Sequence, residues 1–286
     1  MTSNLHDEVR DFLTSRRART TPDDVGLLHA GSRRVPGLRR EEVAALAGVS
    51  VEYYKRLERG NLRGVSDSVL DALARALRLD EAERTHLRNF ARAAGRSSAE
   101  RDQPVVRTVR PALVRLLESM TGTAAGVLND RLDVLAANSL GRALYSDVFG
   151  DPARSNLARY TFLDSRSTRF YPRWEAMADE TVAILRTAVS KNPDDRELGE
   201  LTAELSASSE HFRTRWAAHD VRFHRTGVKD LHHPVVGDLV LSYEAMDLPS
   251  DPGLTLLAYT AEAGSRAEDS LRMLGSHAAK AAHEGR

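Results

Sequence analysis

The sequence predicts a multidomain protein in which an all-α domain precedes an α+β domain. The 286 residues are enough for two domains that each bury a core of their own. Apolar residues recur at helical spacing through the first hundred residues, whereas strand-like runs flank a helical middle in the remainder. A polar stretch without periodicity separates the two patterns. We therefore expect domains at 1–96 and 106–275, a linker at 97–105 and a flexible tail at 276–286.

The first domain is expected to be a series of short helices. Leu5, Val9 and Phe12 recur at helical spacing and predict the first of them. A later helix is expected to begin at Ser66 or Asp67, because either side chain can cap it. These helices flank the motif that carries the functional argument.

Residues 38–60 contain the most informative pattern of the chain. A polar opening leads into a short apolar helix, LRREEVAALA, which Gly48 ends. Val49 fills the corner, and Ser50 can cap a second helix through its side-chain oxygen. Two helices that cross steeply need a small residue at the crossing, a left-handed turn residue and apolar residues beneath both. This layout is typical of the helix-turn-helix that reads DNA.

The second helix of this motif, from Val51 to about Arg59, is expected to enter the major groove. Val51 suits a thymine methyl group, Glu52 can accept from cytosine N4, and Arg56 can hold guanine O6 and N7. Phosphate contacts, which set the register, are expected beside it. The other predicted DNA contacts are Arg39, Arg40, Ser50, Tyr53, Lys55, Asn61 and Arg63.

Alternatives remain open at this surface. Lys55 and Arg56 can simply solvate a helix face, and Glu52 can orient a neighbouring arginine instead of reading a base. The basic clusters at 16–19 and 33–34 either touch flanking phosphates or lie in solvated loops.

Charge is unevenly distributed along the chain, although 41 basic and 41 acidic residues cancel overall. Residues 1–98 hold 18 basic and 14 acidic side chains, whereas 99–286 hold 23 and 27. The window 33–63 alone has eight basic and four acidic residues. This asymmetry suits a DNA-binding head on a second domain that does not bind DNA.

The second domain combines helical and strand-like patterns. The elements expected after the linker are a helix over 113–120, a hairpin over 125–138, helices over 139–218, strands over 235–243 and 254–260, and a last helix over 264–275. Strands at both ends of a helical middle predict a small antiparallel sheet with helices packed on one face.

Composition argues against several other classes of protein. The chain has no cysteine, hence no disulfide, thiolate zinc site or cysteine nucleophile. The histidines between 211 and 233 lack the spacing of a metal site, and the serines at 206–209 lack the glycine frame of a nucleophile elbow. We expect neither an enzyme nor a cofactor. No apolar run approaches membrane-spanning length and the acidic N-terminus lacks a signal-peptide core, so we expect a cytoplasmic protein that does not bind membranes.

Two longer stretches carry a family resemblance. RRVPGLRREEVAALAGVSVEYYKRLERG, followed by VLDALARALRLDEAERTHL, resembles the Xre/Cro class of helix-turn-helix regulators. NDRLDVLAANSLGRALY, YPRWEAMADETVAILR and HHPVVGDLVLSYEAM resemble the MmyB-like regulators. The resemblance extends over about residues 5–275. It implies an N-terminal DNA-binding domain and a C-terminal PAS-like domain whose pocket can hold a small apolar molecule such as a fatty acid.

Aromatic side chains are candidates for lining such a pocket. An aromatic helical layer over a small sheet can enclose a ligand, although plain core packing is the alternative for each ring. Arg169, Arg186, His219 and His233 could anchor a carboxylate, or could be surface ion-pair partners or satisfied polar residues. The predicted ligand-binding residues are Phe162, Tyr171, Trp174, Arg186, Phe212, Trp216 and His219.

These features together predict a sequence-specific DNA-binding transcription regulator that senses a small apolar ligand. A homodimer is expected, because two heads double the base contacts and match a palindromic site. The alternative is a ligand-independent regulator whose second domain serves dimerisation or protein partners. In that case the apolar face of the helix over 113–120 would be an interface.

Overall fold

The computed structural model of the protein describes residues 5–27, 35–96, 108–149, 155–218 and 225–284, the last seven of these by their backbone alone. The chain divides into two compact units. The first comprises Met1–Gln103, Arg186–Ser206 and Arg213–Phe223, and the second Pro104–Leu185, Ala207–Phe212 and His224–Arg286. The linker expected at 97–105 lies outside the described residues.

The N-terminal part of the first unit, the head (5–96), is helical as predicted. Its helices are α1 (Leu5–Arg19), α2 (Arg40–Ala47), α3 (Val51–Glu58), α4 (Asp67–Ala76) and α5 (Glu81–Gly95), with a 3-10 turn at Asp23–Val25. Ser50 caps α3 by accepting from the backbone N–H of Tyr53. Of the two candidates for α4, Ser66 is the cap.

The α2–α3 corner has the geometry that the motif predicts. Gly48 ends α2 with φ 66°, in the left-handed region that glycine adopts without strain. Val43 and Ala44 beneath α2 and Tyr54 and Leu57 beneath α3 are fully buried in the core of the head. The helix-turn-helix fold expected from residues 38–60 is thereby confirmed.

The second unit is built on five antiparallel strands. In chain order its elements begin with α6 (Pro111–Ser119), β1 (Ala124–Asn129), β2 (Val134–Ala137), α7 (Ser139–Leu144), α8 (Ser146–Phe149), α9 (Leu157–Leu163) and α10 (Ser167–Phe170). They continue with α11 (Trp174–Lys191), α12 (Arg196–Ser208), α13 (Glu210–Ala217), β3 (Thr226–His233), β4 (Gly237–Asp247), β5 (Leu254–Thr260) and α14 (Arg266–Glu284). Of these helices, the C-terminal part of α11, nearly all of α12 and the C-terminal part of α13, from Arg213 on, belong to the first unit.

The sheet has the strand order β2-β1-β5-β4-β3. One face carries Leu241, Tyr243 and Tyr259 and packs against residues of α7 to α10 and α14. The prediction of helices on one face only is wrong, because α6 covers part of the opposite face. Leu113 and Leu117 of α6 are buried against β1 and β5. As a result, β1 is buried on both of its faces.

Two boundaries differ from the prediction. The run from 235 is not one strand, because β3 turns at 234–236 and β4 begins at Gly237. The last helix continues to Glu284 instead of ending near 275. The sequence AAKAAHE beyond position 277 consists largely of strong helix formers, which explains the extension. No helix within the described ranges has the length and apolarity that a membrane span requires.

Candidate nucleic-acid interface and ligand cavity

Helix α3 presents a polar face beside its buried one. Glu52, Arg56 and Arg59 are exposed. Val51 and Tyr53 are half-buried because they pack partly against the core of the head. The exposed face therefore offers one carboxylate and two guanidinium groups to a partner.

The carboxylate of Glu52 is engaged by Lys55. The Lys55 Nζ lies 2.7 Å from Glu52 Oε1, one helical turn away. This hydrogen bond lowers the pKa of Glu52, so the group stays ionised. Glu52 therefore pairs with Lys55, whereas the sequence suggested that it could orient a neighbouring arginine.

Arg56 lies over its neighbour on the helix. Its guanidinium carbon is 5.2 Å from the ring centroid of Tyr53, a cation–π arrangement. A guanidinium nitrogen also lies 3.5 Å from the carbonyl oxygen of Arg63, at the limit of a hydrogen bond. These contacts hold Arg56 near the N-terminal half of the loop at 60–66.

A buried carboxylate ends the helix. Glu58, 2% exposed, receives a hydrogen bond of 2.6 Å from Arg17 Nε and another from Arg40 Nε. The carboxylate raises the pKa of Arg40 through this hydrogen bond, and burial raises the pKa of Tyr54 beside it. Glu58 therefore ties α1 and the start of α2 to α3. Sequence reasoning missed it, although its place four residues after buried Tyr54 puts it on the same helix face.

Arg40 and Arg59 share a shallow cleft with the pair just described. The cleft has a volume of about 380 Å³ and is lined by Arg40, Glu52, Lys55 and Arg59. Lys55 is paired with Glu52 and Arg40 with Glu58, so Arg59 adds the remaining positive charge, which suits a phosphate.

The remaining predicted DNA contacts are spread around this cleft. Arg39 and Ser50 are exposed next to the first turns of α2 and α3. Asn61 and Arg63 are exposed in the loop after α3. Both also line a cavity of about 930 Å³ within the first unit.

The basic cluster at 16–19 is largely structural. Arg16 is buried and paired with Glu83 at 3.0 Å, and Arg17 is paired with Glu58. These two arginines therefore neither contact phosphates nor lie in a solvated loop, because Glu83 and Glu58 hold them against the head. The cluster at 33–34 lies outside the described residues.

The predicted ligand-binding residues do not form one cavity. Phe162 packs edge-on against Trp174 and Phe212, with ring centroids 6.0 and 5.1 Å away. Trp174 Nε1 donates to the carbonyl oxygen of Thr161 at 3.0 Å. This arrangement is aromatic core packing in the second unit.

Arg186 and Trp216 belong to the first unit. Arg186 is 1% exposed, pairs with Glu8 at 3.1 Å and lies over the Trp216 ring at 4.4 Å. The positive charge of Arg186 is therefore neutralised by the buried carboxylate of Glu8. His219 lies outside the described residues.

The other candidate carboxylate anchors differ in burial. Arg169 is exposed, and His233 is 1% exposed at the end of β3. The Nε2 of His233 lies 3.1 Å from the carbonyl oxygen of Ala143, and its Nδ1 accepts from the backbone N–H of Val235. His233 is thus a satisfied polar residue of the core, and burial lowers its pKa.

A small apolar cavity does lie in the second unit, between the sheet and α7 and α9. Its volume is about 30 Å³, close to the share of one water molecule in the liquid. Its lining residues are almost all small or apolar. They are Ala124, Ala125, Gly126, Leu128, Val134, Ala137, Gly141, Leu144, Tyr145, Phe149, Leu157, Leu257 and Tyr259.

Gly141 allows α7 to approach β1 beside this cavity. A Cβ atom at this position would lie 2.5 Å from the carbonyl oxygen of Ala125. The sequence carries a signal for the cavity in its small residues, AAG at 124–126 and Gly141. Reasoning from aromatic residues overlooked it. None of the described residues in the predicted set lines this cavity, although Tyr171 packs against Phe170 at 4.9 Å between ring centroids, and Phe170 packs against the lining residue Tyr145 at 5.3 Å.

These two sites define a class: a helix-turn-helix DNA-binding protein that carries a second, α+β unit. A family model for a helix-turn-helix domain matches residues 8–87. A model described as the MmyB-like transcription regulator ligand binding domain matches residues 109–274, more than half of the chain. The protein therefore belongs to the MmyB-like transcription regulators, which confirms the resemblance. A comparison with curated proteins finds no match.

The two matched domains make the chain a DNA-binding transcription regulator with a ligand-binding domain.

Proposed function

We propose that this regulator binds a specific duplex sequence through α3 and responds to a small apolar molecule, such as a fatty acid, in its second unit. The observation that carries the DNA proposal is the exposed face of α3, with Arg56 and Arg59 beside a cationic cleft. Selection from random duplexes with the full chain tests it. We expect one duplex sequence motif to be enriched. If a folded protein enriches no motif, the proposal is wrong.

Assignment of single bases is part of the same proposal. Glu52 is held by Lys55, so it reads cytosine only if that ion pair opens on the DNA. Arg56 has the reach for guanine, and Arg40 and Lys55 at the cleft face phosphates. Substituting each residue and repeating the selection separates a changed base preference from a uniform loss of affinity.

The ligand proposal rests on the apolar cavity of the second unit. The cavity holds only about 30 Å³, so an acyl chain would have to push α7 or α9 away from the sheet. Mass spectrometry of small molecules that copurify with the chain tests this proposal and names the ligand. A PAS-like assignment of the unit is supported by its five-stranded antiparallel sheet, which has most of its helices on one face and α6 on part of the other.

We also propose that the regulator is a cytoplasmic homodimer that works without metal, cofactor or membrane. Two heads would match a palindromic site, and sedimentation of the purified chain tests the stoichiometry. Ligand would act by changing the spacing of the heads, which requires different ligand affinities in the two states.

The ligand-independent alternative is weakened at the surface suggested for it. Leu113 and Leu117 are buried against the sheet, and only Leu116, 49% exposed, is a large apolar side chain left on that face among the described residues.

A further inference from the structure

Part of the matched ligand-binding domain lies in the same compact unit as the DNA-binding head. Residues 186–206 and 213–218, called the arm below, fall within the range of the ligand-binding family model, yet they belong to the first unit. Helix α11 continues into the arm, since it begins at Trp174 in the second unit and ends at Lys191. The arm is therefore joined to the second unit by an unbroken helix.

Polar contacts hold the arm on the head. The buried carboxylate of Glu8 in α1 pairs with Arg186 of the arm at 3.1 Å. Arg96, which directly follows α5, donates to the carbonyl oxygen of Lys191 at 3.0 Å and to Asn192 Oδ1 at 3.2 Å. Hydrogen bonds and a buried ion pair thus connect the arm to both ends of the helical head.

The arm does not share the apolar core of the head. The described members of that core all lie between residues 5 and 94. Arm and head instead line a common cavity of about 930 Å³. Close-packed protein interiors contain few voids larger than a water molecule, and a buried ion pair adds little net stability because its charges lose their hydration. A contact of this kind is weakly held and can open.

The arm brings negative charge to a predicted DNA contact. Asn61 and Arg63 of the loop after α3 line the cavity from the head, and Asp194 and Asp195 line it from the arm. Residues 194–204 carry five acidic side chains and one basic side chain. A DNA phosphate that approaches this loop would therefore be repelled by the carboxylates of the arm.

We propose that the docked arm restrains DNA binding and that the head reaches its full affinity when the arm moves away. This inference rests on the proposed DNA contacts of Asn61 and Arg63, and it goes further by naming what regulates them. Because α11 continues into the arm, a displacement of this helix in the second unit would carry a ligand's effect to the head.

The first test removes head-to-arm contacts without changing a predicted DNA contact. Arg96→Ala deletes the hydrogen bonds to Lys191 and Asn192 and should tighten binding of the selected duplex about three- to tenfold, because the arm is released in a larger fraction of molecules. If Arg96 merely attracted DNA, its loss would weaken binding instead. Arg92→Ala, which removes the same charge one turn earlier in α5, is the matched control and should not tighten binding.

Fluorescence anisotropy with the full chain measures these affinities, and urea denaturation verifies that both variants fold. If Arg96→Ala binds the duplex no more tightly than Arg92→Ala, the inference is wrong, while DNA binding by the unaltered chain stands. If the unaltered chain prefers no duplex, the proposed function is wrong and the inference falls with it.

A second pair of variants tests the charge beside the loop. Asp194→Asn with Asp195→Asn should tighten duplex binding about threefold at low salt and less at high salt, because salt screens the repulsion. Asparagine can keep the cap that Asp195 provides to the backbone N–H of Leu198. Glu197→Gln with Glu200→Gln is the matched control, since it removes the same charge from α12 at positions that do not line the cavity. Equal gains from the two pairs would contradict the role of the aspartates.

Hydrogen exchange tests the movement of the arm directly. Backbone amides of residues 196–206 should exchange faster in the duplex complex than in the free chain, because the arm leaves the head. Strand β4 of the second unit is the internal reference and should keep its exchange rates. Unchanged or slower exchange of the arm in the complex would overturn the inference.

Discussion

At the residue scale, Arg56 separates base reading from phosphate binding. Arg56→Ala should weaken specific duplex binding by about 1–3 kcal/mol, because a two-pronged guanine contact would be lost. Fluorescence anisotropy on the selected duplex and on variants at each position measures this. The loss should disappear on a duplex in which the contacted base pair is replaced.

The control for this substitution is Arg92→Ala, which removes an exposed arginine from α5. It should leave the affinity unchanged within error. If Arg56→Ala weakens random and specific duplexes equally, Arg56 contacts a phosphate and the base assignment is wrong.

The buried carboxylate of Glu58 should contribute to the stability of the head. Glu58→Gln removes the negative charge that Arg17 and Arg40 share, and should lower the free energy of unfolding by about 2–4 kcal/mol. Urea denaturation measures it. Glu52→Gln is the matched control, because the Glu52–Lys55 pair is exposed and screened by solvent, so that its loss should barely change the free energy of unfolding. Equal effects of the two variants would refute the role assigned to Glu58.

Single residues could be predicted only where their neighbours lie close in sequence. The burial of Tyr54 and Leu57 follows from their spacing on one short helix. The partners of Glu58 do not follow, since Arg17 precedes it by 41 positions and meets it only through packing of α1 on α3. For the same reason the sequence alone leaves Arg16 and Arg17 as phosphate or solvent contacts, whereas their partners Glu83 and Glu58 lie far away in sequence.

At the element scale, the α2–α3 corner depends on the backbone conformation of Gly48. Gly48→Ala should lower the free energy of unfolding by about 1–2 kcal/mol, because an alanine is strained at φ 66°. Gly95→Ala is the matched control. Neither position has a neighbouring atom within 4 Å of an added Cβ, and Gly95 lies in helix α5 without a positive φ.

Gly95→Ala should therefore be neutral or stabilising by up to about 1 kcal/mol, as expected for alanine in a helix. Urea denaturation of both variants decides the matter. A Gly48→Ala variant as stable as Gly95→Ala would show that the corner tolerates a side chain.

Elements were predictable where local chemistry determines them. The caps Ser50 and Ser66 and the hairpin of β1 and β2 belong to this group. The cavity was not predictable in the same way, because it arises where α7 approaches β1 at Gly141. That contact joins two elements, and the aromatic residues favoured from composition pack elsewhere.

At the scale of the whole molecule, a net charge of zero conceals the charge that DNA would meet. Duplex affinity should fall steeply with salt, since counterion release depends on the local cations of the head. Arg59→Gln should reduce the slope of log affinity against log salt concentration by about 0.9 if Arg59 contacts one phosphate. Arg92→Gln should leave the slope unchanged. An identical slope for Arg59→Gln and the unaltered chain would exclude the phosphate contact.

Global stability should also depend on pH through His233. Burial lowers the pKa of folded His233 below its value of about 6.5 in an unfolded chain. Between these two pKa values the unfolded chain binds a proton that the folded chain excludes. The contribution of neutral His233 to the free energy of unfolding is therefore complete above about pH 6.5. It is lost as the pH falls towards the pKa of folded His233, by at most about 1.4 kcal/mol per pH unit.

Urea denaturation at pH 7.5, 6.5 and 5.5 measures this loss. His233→Gln should flatten the pH dependence, because glutamine can donate to Ala143 and accept from Val235 without titrating. His277→Gln, which changes an exposed histidine of α14, should keep the dependence of the unaltered chain. The carboxylates of Asp133 and Asp164, whose pKa values are lowered by hydrogen bonds, act only nearer pH 4 and do not confuse the comparison. A pH dependence that survives in His233→Gln would assign the proton to another group and refute this role.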